Sequence, residues 1–155
     1  MGLFSWFFGR GAPPAVQLRR EGSRGHFEVA GEYYNQDALK GIWRRSGKPE
    51  SNIIDVHARL VFEDNNPHDS SAVRVEIAGR KVGYVPAGFA GEFRRRLQEM
   101  SPDSRAASCT AHVIEKQSGE LLVVLNLDWP IELATTPRPR RVRKSRSKKN
   151  PQAPT

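Results

Sequence analysis

Cysteine is almost missing from this sequence. Cys109 is the single one in 155 residues, so no disulfide can close within the chain and no zinc site can be built on cysteine ligands. A reducing interior, intracellular and cytoplasmic, is the matching setting. Long apolar runs are missing too. Met1 to Phe8, MGLFSWFF, is too short for a membrane span or a signal-peptide core, has no basic region before it, and places Trp6 where a myristoylation pattern needs Ser or Thr. It reads as a segment that docks on the folded part, a peptide for a partner, or a weak anchor at a membrane surface. Catalytic patterns are also lacking. There is no GxSxG, HExxH, P-loop or GxGxxG, and His26, His57, His68 and His112 stand far apart, outside any ligand spacing. The expectation is a protein that is not an enzyme, with no cofactor, no metal and no small-molecule substrate.

Acidic residues are missing from one stretch in particular. Arg138 to Lys149 has no Asp or Glu but eight basic residues, Arg138, Arg140, Arg141, Arg143, Lys144, Arg146, Lys148 and Lys149, while residues 1–137 hold 17 basic and 17 acidic ones. The net charge of +8 therefore belongs to the tail. A basic tail on a neutral body fits a polyanionic partner, with each Lys or Arg a candidate phosphate contact. From Pro137 to Thr155 the chain is Pro, Arg, Lys and Ser with no apolar period to bury, and is expected to be disordered. Gly9 to Gly25, with Pro13-Pro14 and several arginines, reads as a linker. The resulting division is an apolar segment and linker over 1–25, a folded domain over 26–133 and a basic tail over 134–155.

The folded part is carried by period-two alternation. Phe27, Val29 and Gly31 predict a half-buried strand, and Ile54, Val56, Ala58, Leu60 and Phe62 a longer one over 53–62. Val73, Val75 and Ile77 predict a third over 72–77, joined by Ala78-Gly79-Arg80 to a fourth over 81–85. Runs at 108–115 and 121–128, joined through Gln117-Ser118-Gly119, predict a second hairpin. Two short helices fit between. Ala38, Leu39, Ile42 and Trp43 share one face of the first, with Asn35 or Asp37 as its cap and Gly47 as its stop. Phe89, Phe93, Leu97 and Met100 form a core stripe on the second, with Pro86 at its start and Arg94, Arg95 and Arg96 beside the stripe. The fold class expected is mainly β with two short helices, a small, partly open β-barrel of the OB or SH3-like kind.

The turn Asp64-Asn65-Asn66-Pro67-His68-Asp69 is the candidate site. Asn, Asp and Pro are turn formers by themselves. Asp64, Asn66, His68 and Asp69 also carry oxygens and a ring nitrogen that could converge on Mg²⁺ or Ca²⁺, although an EF-hand loop starting at Asp64 would need Gly where Asp69 stands and Glu where Val75 stands. A third reading weighs the neighbours. Tyr33, Tyr34 and Tyr84 fall at strand ends, where their faces could stack on unpaired bases, and Arg59, Arg74, Arg80 and Lys81 could hold phosphates. A carboxylate accepts a hydrogen bond from a free sugar hydroxyl, whereas a phosphodiester in its place offers no proton and brings like charge.

These residues resemble the HIRAN domain, found at the N-terminus of replication-fork remodelling enzymes in eukaryotes and alone or fused in bacteria. The resemblance rests on three blocks in order: Gly31-Glu32-Tyr33-Tyr34-Asn35-Gln36-Asp37-Ala38-Leu39, then Glu63-Asp64-Asn65-Asn66-Pro67-His68-Asp69 with Ala72, Val73 and Val75, then Gly79-Arg80-Lys81-Val82-Gly83-Tyr84-Val85-Pro86. It spans roughly Phe27 to Leu127. It implies an OB-like barrel that binds single-stranded DNA with preference for a free 3′ end, Tyr34 facing the terminal nucleotide, Asp69 taking the 3′-hydroxyl, Asn66 contacting backbone or base, and Tyr84 lining the pocket. Two positions depart from the family pattern. His68 stands where the DNA-binding members carry a tyrosine, and Pro86-Ala87 replaces a basic residue.

The reading that follows is a non-enzymatic module for single-stranded DNA or RNA, acting beside a larger DNA-processing enzyme or another protein, with a membrane not among the expected partners. Its rivals are a protein or membrane-surface adaptor using MGLFSWFF and the basic tail, and a metal-dependent hydrolase centred on Asp64 and Asp69.

Overall fold

The computed structural model describes residues 15–19, 27–47 and 49–134. MGLFSWFF and residues 135–155 of the basic tail lie outside the described residues, as do residues 9–14 and 20–25 of the expected linker. Alternation and structure agree best in the long strand β3 (Ile53–Phe62), where Ile54, Ala58, Leu60 and Phe62 are buried and Val56 is half-buried. One face of this strand fills the interior, so any register other than the observed one would turn it outward. The register sets Leu60 between Val75 of β4 (Val73–Ile77) and Ala107 of β6 (Ala106–Glu115). The β4–β5 hairpin turns on Ala78 and Gly79, both at positive φ (51° and 75°), the mirror-image geometry that matches strand twist in a two-residue loop. Arg80, expected in the turn, is therefore the first residue of β5 (Arg80–Tyr84), opposite Ile77.

The sheet runs β2-β7-β6-β3-β4-β5, with β2 at Phe27–Glu28 and β7 at Leu121–Asn126. Its two ends meet. Ala30, just past β2, exchanges two backbone hydrogen bonds with Tyr84 at the end of β5 (2.8 and 2.9 Å), closing a strongly curled, half-barrel antiparallel sheet of OB-like kind. With the two short helices this is the mainly β fold expected from the pattern. No helix among the described residues is long and apolar enough to cross a membrane.

Helix α2 (Ala87–Met100) packs Ala90, Phe93 and Leu97 into the core. Phe89, expected in the same stripe, lies off it and is 39% exposed, resting edge-on against Phe27 and Trp129 at ring separations of 4.8 and 5.3 Å. Helix α1 (Gln36–Arg45) buries Leu39 and Ile42, and Gly47, at φ 83°, ends it as expected. Asn35 occupies the cap position, but its side chain donates backwards to the Gly31 carbonyl (2.9 Å), so the expected side-chain cap is not made.

One part of the linker reading is corrected. Val16–Gln17 form strand β1, parallel to β6 at Ala107 and Ser108, and Leu18 is buried opposite Leu133. Arg19 joins it through its pairing with Glu132 and with Asp128 at 4.0 Å. Two residues are too few to show a period. They pair because β7 reaches β6 only from Thr110 onward, leaving open the edge at Ala107 and Ser108.

Candidate functional site

Gly31 turns the chain out of the barrel seam with φ 78°, a left-handed conformation that side chains rarely adopt, and the next four residues form a 3₁₀ turn, Glu32–Asn35. Successive residues of such a turn lie about 120° apart, so one that points inward leaves the next two outside. Glu32 is the inward one. Its carboxylate accepts the Val123 amide (2.6 Å), while Tyr33 and Tyr34 stand 76% and 87% exposed with their rings edge to face at 5.5 Å. Gln36 completes the anchor, its amide nitrogen donating to the Leu121 carbonyl (2.9 Å) and its oxygen accepting the Leu121 N–H (3.0 Å). These two side chains thus serve as the missing strand along the free edge of β7.

Burial raises the Glu32 pKa from 4.5 to about 7, with the Val123 N–H pulling the other way. For an acid whose folded pKa is raised, the cost of charging is absent below the unfolded value, grows between about 4.5 and 7, and is constant above. Glu32→Gln keeps an acceptor for Val123 and removes the charge. We expect its stability to match the parent near the lower limit and to exceed it above the upper one, by a difference on the order of 2 kcal/mol. Thermal melts of both proteins across that range check this, and a constant offset would rule out titration of Glu32.

Opposite Tyr34 stands Tyr84. Together with Ala30, Gly31, Asn35 and Lys81 they line a hollow of about 460 Å³. The Lys81 ammonium lies 5.5 Å from the centre of the Tyr84 ring, and the Tyr84 hydroxyl donates to Glu63 at 3.4 Å, linking the hollow to the residue just before the polar turn.

Within the turn, the side chains of the signature chiefly hold the backbone. Asn66 Oδ1 accepts the amides of His68 (2.8 Å) and Asp69 (3.1 Å), and Asp69 Oδ1 accepts that of Ser71 (2.8 Å). Asn65 and His68 are exposed. Arg94 of α2 grips the turn from beneath, donating to the carbonyls of Ser71 (2.8 Å) and Ala72 (2.6 Å) and to Asp64 (2.6 Å), its guanidinium 4.6 Å from the centre of the Phe62 ring. Asp64 also pairs with Arg105. Its carboxylate is therefore drawn toward two guanidinium groups and not toward Asp69, and among the described residues no three His, Cys, Asp or Glu converge as metal ligands.

The basic residues expected beside the tyrosines separate into two kinds. Lys81 lines the hollow. Arg74 faces Glu76 at 2.7 Å and Glu63 at 3.7 Å, and Arg59 faces Glu76 at 3.9 Å, so these two belong to an ion-pair row on the outside of β3 and β4. Arg80 lies against α1 beside Gly41. The structure thus brings Tyr34, Tyr84 and Lys81 around one space and places Asn66, His68 and Asp69 on the turn beyond Glu63. It adds Asn35 as a wall and Glu32, Gln36 and Arg94 as supports. No periodicity marks Glu32, because the 3₁₀ turn breaks the strand phase that Phe27 and Val29 set.

A family model described as the HIRAN domain matches residues 27–128, the stretch that forms the barrel, its two helices and the tyrosine hollow. Comparison with curated proteins and with solved structures returned no match. With the matched region covering well over half of the chain, and its three sequence blocks meeting in the barrel seam, the 3₁₀ turn and the Arg94-held loop, the protein belongs to the HIRAN domain family.

Proposed function

We propose that this HIRAN domain binds single-stranded nucleic acid, DNA above all, and takes a free 3′ end into the hollow between Tyr34 and Tyr84. HIRAN domains are in general nucleic-acid-binding modules. The observation that carries the reading is Tyr34, 87% exposed on a turn pinned to β7 and facing Tyr84 across the hollow that Lys81 also lines. A pinned aromatic face open to water is suited to stacking a base, and the ammonium to a phosphate. Asn66 Oδ1 is taken up by backbone amides, so its NH₂ group is the part left to donate to a phosphate. Asp69 adds the acceptor for a 3′-hydroxyl, with His68 beside it as a second stacking surface. The tail from Arg138 to Lys149 contributes affinity independent of sequence. Binding without chemistry gives the protein a role in recruiting, protecting or regulating, with a larger DNA-processing enzyme or another protein as its partner.

The test is a binding comparison of 3′-hydroxyl, 3′-phosphate and circular single strands at two salt concentrations. We expect the 3′-hydroxyl strand to bind tightest, and Tyr34→Ala to weaken it by roughly 5- to 150-fold, the equivalent of about 1–3 kcal/mol of lost stacking. A chain ending at Thr136 should keep the end preference and lose most of the salt dependence, about −0.7 in log–log slope for each phosphate contact removed. Equal affinity for all three strands would remove the end-recognition claim. No binding by the shortened chain at low salt would remove the hollow as a site.

A further inference from the structure

A second hollow, also of about 460 Å³, opens further along α1, with Lys40, Trp43, Arg44, Glu115 and Leu121 among its walls. We propose that it is a second nucleotide subsite, which takes an internal base and its flanking phosphates from the same strand whose end occupies the tyrosine hollow. The inference rests on the single-strand reading above and extends it to residues outside all three sequence blocks.

Trp43 is half-buried. It packs against the core cluster and also lines the hollow, which leaves indole surface open beside Leu121. Lys40 and Arg44 are one turn apart on α1, so they project on the same side. No ion pair among the described residues takes either of them, unlike Arg59 and Arg74, whose charges face Glu76 and Glu63. Glu120 nearby is engaged by Lys116 at 3.0 Å. The wall therefore holds two cations without an ion pair among the described residues, against the one carboxylate of Glu115, around an open indole. Aromatic surface flanked by unpaired positive charge is what a single strand recognises without regard to sequence.

The two hollows are carried by one unit. Asn35 is a wall of the first, Leu121 is a wall of the second, and Gln36 between them is hydrogen-bonded to both backbone groups of Leu121. At the helical rise, Lys40 and Arg44 lie roughly 8 and 14 Å along the axis from Asn35, within reach of the nucleotides next to a bound end. The competing account makes Lys40 and Arg44 a solvated helix face and Trp43 the rim of the core.

The test uses the full chain, 5′-labelled 3′-hydroxyl strands of about three and about twelve nucleotides, and fluorescence anisotropy. The double variant Lys40→Gln with Arg44→Gln changes two exposed positions and leaves the core alone. It should weaken the long strand roughly 5- to 20-fold and leave the short one unchanged; Trp43→Ala should do the same and Trp43→Phe much less. Long-strand affinity equal to the parent in the double variant would overturn the subsite, whatever Trp43→Ala does to folding. Tyr34→Ala reports separately on the first hollow, because it should weaken both lengths. If it weakens neither, the end-binding reading fails, while the double variant still decides the second groove.

Discussion

Replacing Gly83 with alanine is expected to destabilise this protein more than any other single-methyl change in the seam. A Cβ at this position would sit 2.4 Å from the Ala30 carbonyl oxygen and 2.4 Å from Val29 Cγ1. Real Cβ atoms do not approach backbone that closely, so either β5 or the segment after β2 must move. Both hydrogen bonds that close the barrel lie one residue away, between Ala30 and Tyr84. We expect a loss of about 3 kcal/mol or more, since overpacking is compounded by the strain or loss of buried backbone hydrogen bonds. Because Ala30, Gly31 and Tyr84 also line the tyrosine hollow, strand binding should fall with it. Gly88→Ala is the control: nothing lies within 4 Å of its added methyl, and a helical Gly-to-Ala change stabilises by about 0.5–1 kcal/mol. Thermal denaturation of the pair checks the prediction. A Gly83→Ala protein as stable as the parent would mean that the seam yields freely.

The second large effect is expected at Arg94. One guanidinium serves two backbone carbonyls, the Asp64 carboxylate and the face of Phe62. Arg94→Met keeps the stem and removes every donor. The Ala72 carbonyl retains the Glu63 amide at 2.9 Å, whereas the Ser71 carbonyl loses its arginine donor and must turn to water. A cost of about 2–4 kcal/mol follows from losing charge-assisted bonds at a half-buried site. Arg94→Lys should recover less than half, because a point charge cannot satisfy three acceptors spread across a planar fork. Hydrogen exchange should localise the damage, with faster exchange at the amides of His68, Asp69, Ser71 and Ala72. Faster exchange spread evenly over the barrel would instead mean that Arg94 supports the core and not the turn.

Much of the fold was legible in the chain because alternation records which face of a strand is buried. Ile54, Ala58, Leu60 and Phe62 in β3 and Val73, Val75 and Ile77 in β4 announce their faces directly, and the positive-φ pair Ala78-Gly79 sits where a short loop was expected. Phe93 and Leu97 give α2 its inward face in the same way. The site was legible in part. Tyr34 and Tyr84, read as lying at strand ends, and Lys81, read as a nearby charge, line one hollow, but nothing local tells whether an arginine on a strand faces a carboxylate. Arg74 meets Glu63 from β3's exit and Glu76 from its own strand, and Arg59 meets Glu76 across the ladder.

By itself, the sequence determined the periods, the turn chemistry and the order of the three blocks, all of which are properties of neighbours along the chain. Only the tertiary structure decided where an open edge would be left and what would cover it. Gln36 reaches Leu121 across 85 residues and Glu32 reaches Val123 across 91, and together they hold the turn that presents Tyr33 and Tyr34. β1 found the edge of β6 for the same reason. An unpaired strand edge must be satisfied, but which side chain or segment lies beside it exists as information only once the barrel has closed.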